Sequence, residues 1–364
     1  MTTSHDASRR RFLFGAAGAT AFALTGGSLL AACGDDDDED GPGTGSGTVT
    51  TGVPEVADVT SMMPFAASLG YVLDLTAKSR GHFDDERLNV DIQFGRSSGQ
   101  ALQAVLSGQA DIVRAGVLEI VPAVLDQGAT LTSIAMANQR LIYALLSAPD
   151  DPIRTIDQVE GKTVGLPSLG GNAETTLKLV LQEAGIDPAS VTLVPAGFDA
   201  AAFGLIEEGR IDAMFTNTDI RATLEAQDVE IVQADLEDTN PLLGLVLTST
   251  EEYRSANADV LARYLRALDA ARAELQDEAA LDEVIPALKQ DWDIPALDDP
   301  ELAKRSIGIQ AELWFAGGED TFLRPIPERW EEGFAGFEEI GAVPEGTDPT
   351  RFYTAEYLDE ALGR

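Results

Sequence analysis

The chain has almost no cysteine: of 364 residues, Cys33 is the only one. An internal disulfide is therefore impossible, and a disulfide-stapled scaffold is excluded. Histidine is nearly as scarce, with only His5 and His82. A Ser–His triad in the body of the protein would have to use His82, which sits at a helix end in Arg80-Gly81-His82-Phe83, where capping or packing accounts for it. No zinc ligand set, phosphate loop or dinucleotide fingerprint follows a strand. Leu166-Pro167-Ser168-Leu169-Gly170 lacks the first glycine of a nucleophile elbow. No metal, cofactor or catalytic set is expected, which disfavours an enzyme.

Positive charge is also short. Lysine occurs only at Lys78, Lys162, Lys178, Lys289 and Lys304, and 62 acidic residues face 25 basic ones, for a net charge of −37. Such a surface repels nucleic acid and anionic headgroups, so neither is an expected partner. The acids are spread along the chain and read as a solvated surface suited to high salt, where screening mutes self-repulsion.

What is present begins with an address. Ser8-Arg9-Arg10-Arg11-Phe12-Leu13 is a twin-arginine start, and an uncharged run leads to Leu30-Ala31-Ala32-Cys33. Together they look like a Tat lipoprotein signal over 1–32, with lipid expected on Cys33 and an extracytoplasmic, membrane-anchored product. A plain transmembrane helix is the alternative, but the run is mostly Ala, Gly and Thr, a weak span. Residues 33–52 carry Asp35-Asp36-Asp37-Asp38-Glu39-Asp40 and then Gly41-Pro42-Gly43-Thr44-Gly45-Ser46-Gly47, which reads as an acidic, Gly-rich tether. A calcium site there lacks the alternating pattern of an EF-hand.

From Val53 onward short apolar runs alternate with amphipathic stretches, the pattern of α/β architecture. Strands are expected at 56–61, 88–94, 112–114, 131–135, 142–147, 163–166, 192–194, 213–215 and 243–248. Helices are expected at 65–78, 99–107, 118–127, 173–184, 200–207 and 219–226. Three more, at 259–274, 301–314 and 327–337, cover a core already built. One unit recurs. Ser107-Gly108-Gln109-Ala110-Asp111-Ile112 and Glu208-Gly209-Arg210-Ile211-Asp212-Ala213 each join a helix end to a strand through Gly-x-x-Asp. Glycine suits a left-handed helix cap, and the repetition suggests two similar lobes.

Four segments carry a family resemblance. They are Ala77-Lys78-Ser79-Arg80-Gly81-His82-Phe83 with Leu88-Asn89-Val90; Ser97-Ser98-Gly99 with the first Gly-x-x-Asp unit; Val159-Glu160-Gly161-Lys162-Thr163-Val164-Gly165; and the second Gly-x-x-Asp unit. In this order they resemble the substrate-binding proteins of ABC importers, in the branch that groups sulfonate, taurine and nitrate binders with Thi5-like thiamine-precursor binders. Glu86-Arg87 stands where that pattern has a glycine.

The resemblance implies a two-lobed, periplasmic-binding-protein-like fold (type II). Each lobe would be a mainly parallel sheet flanked by helices, with lobe 1 at 53–146 plus 243–364, lobe 2 at 147–242, and a ligand cleft between them. It implies a monomer that hands a small molecule to a permease and its ATPase.

Ligands of open α/β sheets sit beyond the carboxyl ends of strands, where helix N-termini offer free N–H groups. The candidates there are Met62, Pro64, Phe65, Ser97, Ser98, Arg114, Ala115, Gly116, Ser168, Gly170, Gly171, Asn172, Thr216, Asn217 and Asp219. Ser98 and Asp219 also suit helix caps, and Gly170-Gly171 a turn. Arg114 could fork onto a sulfonate, carboxylate or nitrate, or pair with Glu119 or Asp219. Phe65, Tyr143, Phe198 and Phe215 could stack on an aromatic ligand or belong to the core. A small anionic solute is the first expectation, and a neutral heterocycle such as a thiamine-type pyrimidine the second.

Overall fold

The protein is represented by a computed structural model that describes residues 54–236, 240 and 242–363. The export signal, Cys33 and the tether lie outside the described residues.

Ten strands form two sheets. They are β1 (Ala57–Met63), β2 (Leu88–Phe94), β3 (Ile112–Gly116), β4 (Leu131–Met136), β5 (Tyr143–Ser147), β6 (Thr163–Leu166), β7 (Thr192–Pro195), β8 (Ala213–Asn217), β9 (Val232–Gln233) and β10 (Leu245–Thr250). The first sheet has the order β2-β1-β3-β10-β4 and the second β7-β6-β8-β5-β9. In each sheet one strand opposes its neighbours. It is β10 in the first and β5 in the second, and each is the first strand made after the chain crosses from the other sheet. The remaining pairings are parallel. Helices flank both sheets, which is the two-lobed α/β fold.

The repeated Gly-x-x-Asp unit has one structural job, done twice. Gly108 and Gly209 take φ values of 71° and 66°, a conformation glycine adopts without a Cβ penalty. Asp111 Oδ2 then accepts the Thr60 N–H at 2.7 Å, while the Asp111 N–H donates to Thr60 O. Asp212 does the same to Thr163, again at 2.7 Å. Each aspartate thus clamps its incoming strand onto a parallel neighbour, β1 in the first sheet and β6 in the second.

The lobe boundary differs from the expected one. Tyr143–Leu146 pair with β8, so the first crossing occupies 137–142 and β5 belongs wholly to the second sheet. The chain returns to the first sheet between β9 and β10. The two crossings touch where Gly244 lies against the Asn138 carbonyl, so close that a Cβ on Gly244 would stand 1.9 Å from that oxygen.

The helix expected at 65–78 is shorter. Ser68 accepts the Gly70 N–H and caps a 3-10 turn, Leu69–Tyr71, after which the α-helix Val72–Ser79 starts. Residues 65–68 are therefore left as a loop. The helices after β10 pack on the first sheet: Ala258–Leu275 against Val72–Ser79, and Pro327–Glu339 through Trp330, Phe334 and Phe337. Helices Glu251–Ala256, Leu281–Asp291 and Glu356–Leu362 add to the expected set. Among the described residues no helix is long and apolar enough to cross a membrane.

Candidate functional site

Between the sheets lies a small cavity of about 40 Å³. The first sheet's side contributes Pro64, Phe65, Ser68, Gly70, Tyr71, Ser98, Ala115, Leu245 and Gln310. The second contributes Tyr143, Asn172, Phe198, Asn217 and Thr218, and the first crossing adds Asn138 and Ile142. Six of the candidates read from sequence are on this wall: Pro64, Phe65, Ser98, Ala115, Asn172 and Asn217.

Contacts across the cleft hold the two sides together. Phe65 and Phe198 stack at 4.9 Å with rings 10° apart. The Asn172 N–H, at the start of helix Asn172–Glu183, donates to Ser98 Oγ at 3.1 Å. Ser98 in turn hydrogen-bonds Glu119, whose Oε2 accepts the Gly116 N–H at 3.0 Å; burial pushes the Glu119 carboxyl up despite both bonds. Asn172 can approach because Gly116 has no side chain: a Cβ there would stand 2.1 Å from Asn172 Oδ1. On the other flank Gln310 Nε2, from helix Pro300–Leu313, donates to Asp219 Oδ1 at 2.7 Å and to Thr218 Oγ1 at 3.1 Å.

The other candidates sit elsewhere. Arg114 does not face the cavity. Side chains alternate along β3, so Ala115 lines the wall while Arg114 points to the helical side. It is 1% exposed and pairs with fully buried Asp74 at 3.0 Å, not with Glu119 or Asp219. Its Nη1 donates to Gly70 O at 3.0 Å, and the guanidinium lies 5.6 Å from the centre of the Tyr71 ring. Met62 is in the core of the first sheet, and Thr216 is fully buried in β8. Ser97, not Ser98, caps helix Ser98–Leu106, and Asn217, not Asp219, caps helix Thr218–Ala226. Gly170 makes a turn at φ 74°, Gly171 precedes helix Asn172–Glu183, and Ser168 is half-buried beside it. Of the aromatic residues, Phe215 packs in the second core beneath Tyr143 at a centroid distance of 5.0 Å. Burial pushes the Tyr71 and Tyr143 phenols up, so both stay neutral.

Sequence reasoning did not find Ser68, Gly70, Tyr71, Asn138, Ile142, Leu245 or Gln310. Gln310 comes from the helical tail and Asn138 from a crossing segment, and neither sits at a strand end that a pattern would flag. The split of the first helix at Ser68-Leu69-Gly70 was a readable signal, since glycine after serine marks a cap or turn.

The cleft between two α/β sheets, each ending in helix N-termini at the cavity, defines the class: a two-lobed, periplasmic-binding-protein-like fold. The NMT1/THI5 like family profile matches residues 71–278, and the chain belongs to that family. The riboflavin-binding protein RibY of Chloroflexus aurantiacus is 21% identical over 217 residues, which span 59% of this chain and 61% of RibY. The match thus covers less than two thirds of that relative. The alkanesulfonate-binding protein SsuA of Xanthomonas axonopodis pv. citri, solved with MOPS, superposes with a TM-score of 0.63 at 17% identity, over 83% of this chain and 99% of SsuA. The nitrate-binding protein NrtA of Synechocystis superposes with a TM-score of 0.65 at 14% identity, over 86% and 90% of the two chains. These structural likenesses establish the fold.

Two outcomes follow from the buried charges. Arg114→Ala strands Asp74 in the core and is expected to destabilise the protein by about 3–5 kcal/mol in urea unfolding, whereas Arg114→Leu with Asp74→Leu costs far less. A double variant as unstable as the single one would refute the pairing. Asp219 is the second case. Burial raises its carboxyl from 3.8 to about 6 against the hydrogen bond from Gln310. The folded protein therefore holds this proton more tightly than the unfolded chain, so the stability it contributes is full below about pH 4 and is lost as pH rises through about 6. Asp219→Asn should gain melting temperature over wild type at about pH 7.5, and that advantage should shrink by about pH 5. An equal difference at both would show that the carboxyl does not titrate there.

Proposed function

We propose that this chain is the extracytoplasmic solute receptor of an ABC importer and that its solute is a small, planar, uncharged heterocycle. Family membership and the two-lobed fold support the receptor reading. The observation that carries the solute class is the wall itself. Phe65, Tyr71, Tyr143 and Phe198 surround side-chain amides and hydroxyls, while Arg114 is engaged by Asp74 beneath it. Aromatic faces with a few fixed polar groups suit a flat, neutral ligand. RibY, named for riboflavin binding, fits the same class. An anionic solute is the second reading, favoured by the helices that begin at Ser98, Asn172 and Thr218 on the wall.

The lobes open to admit the solute and close over it by bending at the two crossings between the sheets, and the closed monomer docks on a permease driven by an ATPase. The solute leaves chemically unchanged. Export follows the twin-arginine route, residues 1–32 are removed, and lipid on Cys33 moors the body. The segment 33–52 then acts as a leash that raises the receptor's effective concentration at its permease.

A ligand-shift melting screen over sulfonates, nitrate, carboxylates, flavins and aminopyrimidines tests the solute class, since a ligand that binds only the folded form raises its melting temperature. Heterocycles are expected to shift the transition. A shift from sulfonate or nitrate alone would transfer the proposal to anions, and covalent turnover of a bound compound would end the receptor reading. Cys33→Ala is expected to move the protein from the membrane fraction to the soluble one; an unchanged distribution would remove the lipid anchor.

A further inference from the structure

Four side-chain amides line the cavity, and three have internal duties. Asn172 Nδ2 donates to the Tyr143 hydroxyl at 3.2 Å, and Asn217 Oδ1 accepts the Ile220 N–H as a helix cap. Gln310 uses both hydrogens of Nε2 on Thr218 and Asp219. Asn138 is different. It is 1% exposed, and both Nδ2 and Oδ1 are buried without a hydrogen-bond partner. Its backbone is pinned, because its N–H donates to Leu245 O at 3.0 Å and its carbonyl lies against Gly244. The side chain cannot leave with the backbone, and an amide buried with neither half satisfied is costly. A ligand edge in the cavity would satisfy both halves.

Gln310 presents the complementary half of the pattern. An ionised carboxylate only accepts, so Asp219 fixes which end of the Gln310 amide faces it. Oε1 accepts no hydrogen bond from a described residue, and Gln310 is on the cavity wall.

We infer that Asn138 and Gln310 are the specificity-determining residues of this site, reading the polar edge of a nitrogen heterocycle. Asn138 offers a donor and an acceptor side by side, and Gln310 offers an acceptor. The matching ligand edge carries an acceptor next to an N–H, as a lactam or an aminoazine does, with a second N–H for Gln310 Oε1. Asp219 and Thr218 act through Gln310 as positioning residues. This inference rests on the heterocycle reading proposed above. Sulfonate and nitrate carry acceptors only, so they would face Oδ1 and Oε1 with no hydrogen to share.

The test uses two ligand pairs on the wild-type chain: lumichrome against 1,3-dimethyllumichrome, and 4-aminopyrimidine against 4-(dimethylamino)pyrimidine, with taurine and nitrate alongside. Affinity is read by calorimetry or, for lumichrome, by fluorescence. At least one parent compound is expected to bind, with N-methylation weakening it about tenfold or more, because a site built to hydrogen-bond an N–H rejects the analogue that lacks it. Asn138→Leu should weaken the parent and leave the methylated analogue little changed, and Gln310→Leu, which removes the acceptor, should act in the same direction. If parent and methylated forms bind alike, the edge-reading role falls while the heterocycle reading stands. If taurine or nitrate binds and neither heterocycle does, both readings fall. Binding by none of the compounds overturns the inference for these two edges. Because the methylated probes act on the unmodified protein, an Asn138 variant that fails to fold does not blunt the test.

Discussion

The buried Arg114–Asp74 pair is the constraint on which the cavity depends. Both side chains are out of water, so each needs the other, and neither can be removed alone without stranding a charge. Around the pair the polar groups form a chain. Tyr264 donates to Asp74 at 2.9 Å and meets Ser61 at 3.0 Å, which ties the long helix Ala258–Leu275 to β1. Arg114 holds the Gly70 carbonyl from below and lies under the Tyr71 ring, which sets the 3-10 turn on the cavity wall. Core and site are therefore one construction. The charge that looked available for a ligand is the support beneath the surface on which a ligand would rest.

That arrangement explains what the sequence made legible and what it did not. The Gly-x-x-Asp units stood out because their reason is local: a glycine cap and an aspartate one strand away, repeated with the same geometry at Asp111 and Asp212. Strands such as Leu88–Phe94 and Thr163–Leu166 fell where apolar patterning put them. β9 did not, being two residues whose pairing is decided by β5. Arg114 was misplaced by a single step of strand alternation, which reverses which face a side chain takes. Its partner Asp74 lies forty residues earlier, on a helix whose start was itself displaced by the Ser68 cap. Asn138 and Gln310 could not be read at all. Their place on the wall depends on how two crossings and a late helix meet, a long-range matter with no sequence period.

The cavity is closed by unlike means on its two flanks. On one, a hydroxyl from Ser98 meets a helix N–H from Asn172, a bond made between neutral groups. On the other, Gln310 meets the carboxylate of Asp219, which burial has made reluctant to ionise. The Phe65–Phe198 stack adds an apolar contact across the same cleft. Two polar contacts set register across the cleft, while the rings give broad, less directional adhesion. Association of the lobes is thus directional where polar groups must align and tolerant where the rings meet.

The bare α-carbon of Gly116 has a wider meaning. Because the Asn172 side chain rests where a methyl would be, the final approach of the two halves is a steric fit with no slack. Any side chain at position 116 would act as a wedge, holding the two halves apart by at least the width of a methyl group.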